Sequence, residues 1–135
     1  MRQLYLLSVC LYCLSVPSPS FGKEHLDGVP ARYATLALNP LRGIFDFEYK
    51  NFSDADRQSV IVRSKHQGSF FVVLDRPIYP RSKDIGRLAR HIIPGKSRLH
   101  ISNGDNRVPR NVIAVYQLRD REHERSVIKF LRAND

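Results

Sequence analysis

From about residue 32 onward the chain is a series of short β-rich runs cut apart by turn residues, and this rhythm constrains the fold more than any other feature. "IFDFEYK" (44–50) alternates with period two: Phe45, Phe47 and Tyr49 share one face, while Asp46, Glu48 and Lys50 share the other. "SVIVRS" (59–64) and "SFFVVLD" (69–75) flank a short Gly-containing connector, which is a hairpin signal. Pro77 and Pro80 end the second of these strands, because neither can donate to a ladder. "RLHIS" (98–102), "NVIAVYQL" (111–118) and "SVIKFLR" (126–132) read as further strands. "RYATLAL" (32–38) alternates and then breaks at "NPLRG", and "NFSDADR" (51–57) reads as a loop. The pattern predicts a mainly β domain over 31–133, an antiparallel β-sandwich.

Two segments admit a second reading. "SKDIGRLARHII" (82–93) places Ile85, Leu88, Ala89 and Ile92 at helical spacing, which allows one short helix near 83–93. "DREHERSVIKFLR" (120–132) could be a helix entered at Asp120, although the strand reading is preferred here.

The first 22 residues have a different character. One Arg is followed by an apolar stretch from about Leu4 to Val16, then by Pro, Ser and small residues. This is the plan of a secretory signal peptide, cleaved near Ser20–Gly22, and it predicts a secreted, extracellular protein. The apolar stretch is too short for a comfortable membrane span, so none is expected once the signal is removed. Residues 23–30 read as a flexible lead-in. Both cysteines, Cys10 and Cys13, fall within the signal and would leave with it. The remainder then has no disulfide, thiol nucleophile or thiolate metal site, and it must hold itself together through an apolar core.

The formal charge is +9, and loss of the signal with its single Arg lowers it to +8. A basic secreted protein meets anionic partners by long-range attraction. The cations concentrate mid-chain, and the candidate polyanion-binding set is Arg76, Arg81, Lys83, Arg87, Arg90, His91, Lys96 and Arg98. Such a surface suits sulphated glycosaminoglycans such as heparan sulphate, or extracellular matrix proteins, and implies no specific nucleic acid. Asn51-Phe52-Ser53 is an N-glycosylation sequon, so Asn51 is a candidate glycan acceptor.

Catalysis finds little support. A small basic secreted nuclease would need a general base, a general acid and a cation for the phosphorane. The five histidines show no paired spacing, and no hydrolase or phosphate-loop motif is present. "NGDN" (103–106) and "DAD" (54–56) supply too few carboxylates for a calcium loop, so no metal or cofactor is expected.

Gly68, the apolar run Phe71 to Leu74, Arg76-Pro77-Ile78 and Pro80-Arg81 together resemble the C-terminal immunoglobulin-like domain of fibulins. The similarity lies mainly over 60–85. It implies a secreted matrix-type β domain with a binding role and no catalytic residues. The upstream calcium-binding EGF-like modules of that family have no counterpart here, and residues 86–110 are longer and more basic than the family pattern. The function expected is extracellular surface recognition; the alternative is a secreted ligand or effector acting through a protein receptor.

Overall fold

The computed structural model describes residues 28–78, 84–85, 88–103 and 106–134. The expected signal peptide, most of the lead-in, and Arg81, Lys83 and Arg87 lie outside them. A single-turn helix α1 (Ala31–Ala34) precedes strands β1 (Tyr49–Asp56), β2 (Ser59–Ser64), β3 (Ser69–Leu74), β4 (Asp84–Ile85), β5 (Arg98–Asn103) and β6 (Asn106–Gln117), and helix α2 (Arg121–Ala133) follows. The strands form one sheet in the order β1-β2-β3-β6-β5-β4, antiparallel throughout. β4 is only a two-residue edge piece.

The protein is therefore mainly β, as the punctuated runs predict, but the sheet curls into a half-barrel. No second sheet faces it among the described residues, so the expected sandwich is replaced by one sheet with two covered faces. The long strand β6 produces the curl. Its C-terminal half pairs with β3 and its N-terminal half with β5. A register shift opposite Val73 and Leu74 inserts Ile113 as an extra residue in β6. That bulge resets the alternation and bends the strand.

The two faces carry separate cores. On the concave side, Val60, Val62, Phe70 and Val72 pack with Leu99, Ile101, Val112 and Val115. The chain from Pro40 to Phe47 lies across this side. It bridges Pro40 to Tyr116 and Ile44 to Ile92, and it seats Ile44 and Phe47 in the core. On the convex side, Ile61, Phe71, Val73, Ala114 and Tyr116 are covered by Tyr33 of α1 and by Val127 and Leu131 of α2. This is why "VIV" and "FFVVL" are continuous apolar runs: β2 and β3 bury both faces. Phe71 is wholly buried, which contributes roughly 1.5–3 kcal/mol. Gly68 closes the β2–β3 turn at φ +85, a conformation that strains any residue with a Cβ.

Three expectations change. "RYATLAL" begins as the helical turn α1 and not as a strand. The segment read as a loop, 51–57, is mostly β1, while 44–48 is irregular. β1 tolerates Asn, Ser and Asp because it is an edge strand whose first six residues are exposed or only half-buried. The C-terminal segment is helix α2 and not a strand. The Asp120 side chain accepts from the His123 N–H at 2.8 Å and caps it. Val127 and Leu131, four residues apart, then share the buried face. The helix considered near 83–93 is absent from the described part of that stretch: 84–85 is β4, and 88–93 is irregular except for the Ile92 bridge.

Candidate functional site: a cationic flank on the C-terminal helix

Five residues of the expected mid-chain patch are described, and some of them already have partners. Arg76, Arg90, His91, Lys96 and Arg98 are all exposed. Arg76 pairs with Asp75 at 3.7 Å, and Arg98 donates to Asn111 at 3.0 Å. His91 packs against Phe45 and accepts from the Asp46 N–H at 3.3 Å. The remaining members, Arg81, Lys83 and Arg87, fall outside the described residues.

A second group of cations stands on the convex side, where α2 packs against β1 near the open end of the β1–β2 hairpin. At 100° per residue, Arg121, Arg125, Lys129 and Arg132 fall on one flank of α2. All four are exposed. The row is about 16 Å long at 1.5 Å per residue. Arg121 and Arg125 face Lys50 and Asn51 of β1 and Arg63 of β2 across an open cleft of about 360 Å³, with Glu124 and Ile128 completing the wall.

The charges in this cleft do not cancel. Arg63 forms an ion pair with Glu124, whose side chain is only 8% exposed. Arg63 also donates to Asn51 Oδ1 at 2.9 Å. The second Glu124 oxygen is buried with no hydrogen-bond partner among the described residues. Lys50, Arg121, Arg125, Lys129 and Arg132 have no ion-pair partner among the described residues. Like charges four apart on a helix cost about 0.2–0.5 kcal/mol per pair. An approaching anion reverses the sign of that term.

Asn51 lies in this cleft and not in a loop. It is exposed, and it is paired across the strands with Arg63. Ala55, on the same face of β1, enters the convex core, whereas Phe52 packs on the concave side. The Asn51 side chain is therefore on the helix side of the sheet.

At the other end of the hairpin a buried polar cluster ties α1 to the β1–β2 turn. Asp56, 3% exposed, accepts from Tyr33 Oη at 2.8 and 2.9 Å, from the Gln58 N–H at 2.8 Å, from Ser59 Oγ at 2.7 Å and from Arg32 Nε at 3.3 Å. Arg32 also lies over the Tyr33 ring, 4.5 Å from its centroid. Burial, and then the charge of Asp56, push the Tyr33 phenol well above its ordinary value of 10.0. Burial also raises Tyr116. The donors and acceptors here satisfy one another, so this cluster is a clamp with no open coordination for a substrate.

The histidines engage different groups. His66 pairs with Glu48 at 3.3 Å, and His123 accepts from the Arg119 N–H at 3.1 Å. Among the described residues no group of three His, Cys, Asp or Glu could hold a metal ion. No helix among them is long and apolar enough to cross a membrane. Comparison with protein-family models, curated proteins and solved structures found no match for this chain.

The flank was hidden from the sequence reading by the choice of period. As a strand, 126–132 alternates Lys129 and Arg132 onto opposite faces. Only the 3.6-residue period aligns them with Arg121 and Arg125.

Proposed function

We propose that this chain is a secreted extracellular binding module that recognises sulphated glycosaminoglycans through the cationic flank of α2 and the adjoining β1–β2 end. The observation that carries the reading is the row Arg121, Arg125, Lys129 and Arg132, continued by Lys50, with no ion-pair partner for any of the five among the described residues. A single exposed contact in water is worth about 1 kcal/mol at 4 Å. Affinity for a flexible polyanion therefore comes from several cations presented together, and it is screened by salt. Among the described residues, the cleft lining has no aromatic ring. Single-stranded nucleic acids draw much of their affinity from base stacking on such rings, so a sulphated saccharide suits this lining better. The secretion signal read in residues 1–22 and the fibulin-like pattern over 60–85 point to the same compartment.

The test compares elution of the protein from heparin with elution from a sulphonate resin of matched charge density. Clearly higher salt on heparin supports a defined site. Equal salt on both would reduce the basicity to net charge and remove the reading. Tighter binding to a single-stranded oligonucleotide than to heparin would redirect it to nucleic acid.

A further inference from the structure

We propose that Asn51 carries an N-linked glycan and that this glycan gates the polyanion cleft, so that glycosylated and bare chains differ in affinity for heparin. The inference rests on the polyanion reading above and names how that site is regulated. Three observations meet at Asn51. It begins the sequon Asn51-Phe52-Ser53. It is exposed on an edge strand, paired with Arg63 of β2 on one side and open on the other. It lines the same cleft as Lys50, Arg63, Arg121 and Arg125.

The folded chain fixes the side of the sheet that a glycan on Asn51 would occupy. Arg63 Nη1 donates to Asn51 Oδ1 at 2.9 Å, which fixes the carbonyl oxygen. Modification takes place on the other atom, Nδ2. From a lipid-linked oligosaccharide diphosphate, Nδ2 forms the bond to the anomeric carbon. The carbon–oxygen bond to the diphosphate breaks, the diphosphate leaves with the electron pair, and one Nδ2 proton passes to a base. The product keeps its carbonyl oxygen, so the bond from Arg63 persists. That bond holds the first sugar on the helix side of the sheet, beside Arg121 and Arg125. The sugar and a sulphated chain then compete for one cleft of about 360 Å³. Lys129 and Arg132, further along α2, stay uncovered, so the glycan weakens binding without abolishing it.

The experiment expresses the full chain in a secretory host that adds neutral high-mannose glycans, so that any effect is steric. It compares the wild type with Ser53→Ala, which removes the sequon but keeps Asn51, and with Asn51→Gln as a second route. Intact mass reports the glycan, and elution from heparin reports the site. The wild type is expected to carry a glycan and to elute at lower salt than Ser53→Ala. Its log–log salt dependence should be shallower by about 2 to 3, for the loss of Lys50, Arg121 and Arg125 contacts. Trimming to one sugar should keep most of the difference, because the first sugar already stands in the cleft. A wild type with no glycan mass, or one that co-elutes with both sequon variants, overturns the gating alone. A Ser53→Ala protein with no preference for heparin over a matched sulphonate resin overturns the gating and the polyanion reading together.

Discussion

Replacing Asp56 by Ala should produce one of the largest single-residue losses of stability in the molecule. The side chain is buried and accepts from Tyr33, Arg32, Gln58 and Ser59. Alanine leaves the Tyr33 and Ser59 hydroxyls and the Gln58 N–H without their acceptor. Each stranded buried group costs about 1–3 kcal/mol, though local relaxation keeps the costs from adding fully. The Arg32 contribution is discounted, because its side chain is 34% exposed and solvent screens it. The expected loss is about 3–5 kcal/mol. Urea unfolding followed by circular dichroism reads it as a midpoint lowered by roughly 2 M, for a slope near 2 kcal/mol/M. Asp56→Asn keeps one acceptor and the shape, and should lose about half as much. A double-mutant cycle with Tyr33→Phe should show coupling of about 0.5–3 kcal/mol. The cluster sits at the turn end of the β1–β2 hairpin, away from Asn51 and Arg63, so the folded fraction should keep its heparin elution. A loss under about 1 kcal/mol for Asp56→Ala would refute the clamp.

Two further outcomes follow from the same structure. Tyr33 ionises at higher pH in the folded chain than its ordinary value of 10.0. It therefore contributes stability that is complete below pH 10 and is lost as pH rises above it, when the unfolded chain sheds this proton first. Thermal midpoints measured across pH 8–11 should fall above pH 10, and Tyr33→Phe should flatten that fall, with Tyr116 accounting for part of what remains. Asp120→Ala removes the acceptor for the His123 N–H. It should cost about 0.5–2 kcal/mol, read by thermal melting, and should reduce helical ellipticity as the first turn around Arg121 frays.

The parts of the fold legible in the sequence were those where local pattern and burial agree. "SVIVRS" and "SFFVVLD" flanking Gly68 announce β2 and β3, because apolar runs of that length fit strands covered on both faces. β1 was obscured because an edge strand accepts Asn, Ser and Asp that β-propensity disfavours, and its buried Asp56 is stabilised by partners from α1 that no local window contains. The C-terminal segment carried both periods at once. Val127 and Leu131 suit a helix, while the β-branched and aromatic residues among them suit a strand. That choice also decided the site. The described mid-chain cations include two that already have acceptors, Arg76 with Asp75 and Arg98 with Asn111, and those acceptors are hydrogen-bonded to each other. The cations of α2 are spaced about as closely along the chain as the mid-chain ones, and the helical period brings four of them onto one flank.

The central claim is that position, and not net charge, makes this protein a polyanion binder. Two variants of equal net charge test it directly. One replaces Arg121, Arg125, Lys129 and Arg132 with Gln; the other replaces Arg76, Arg90, Lys96 and Arg98 with Gln. The dependence of heparin affinity on salt is measured for each. The helix-flank variant should lose affinity and flatten its log–log slope by about 3 to 4, while the mid-chain variant stays close to wild type. Equal losses in the two variants would contradict the claim, as would a larger loss in the mid-chain variant.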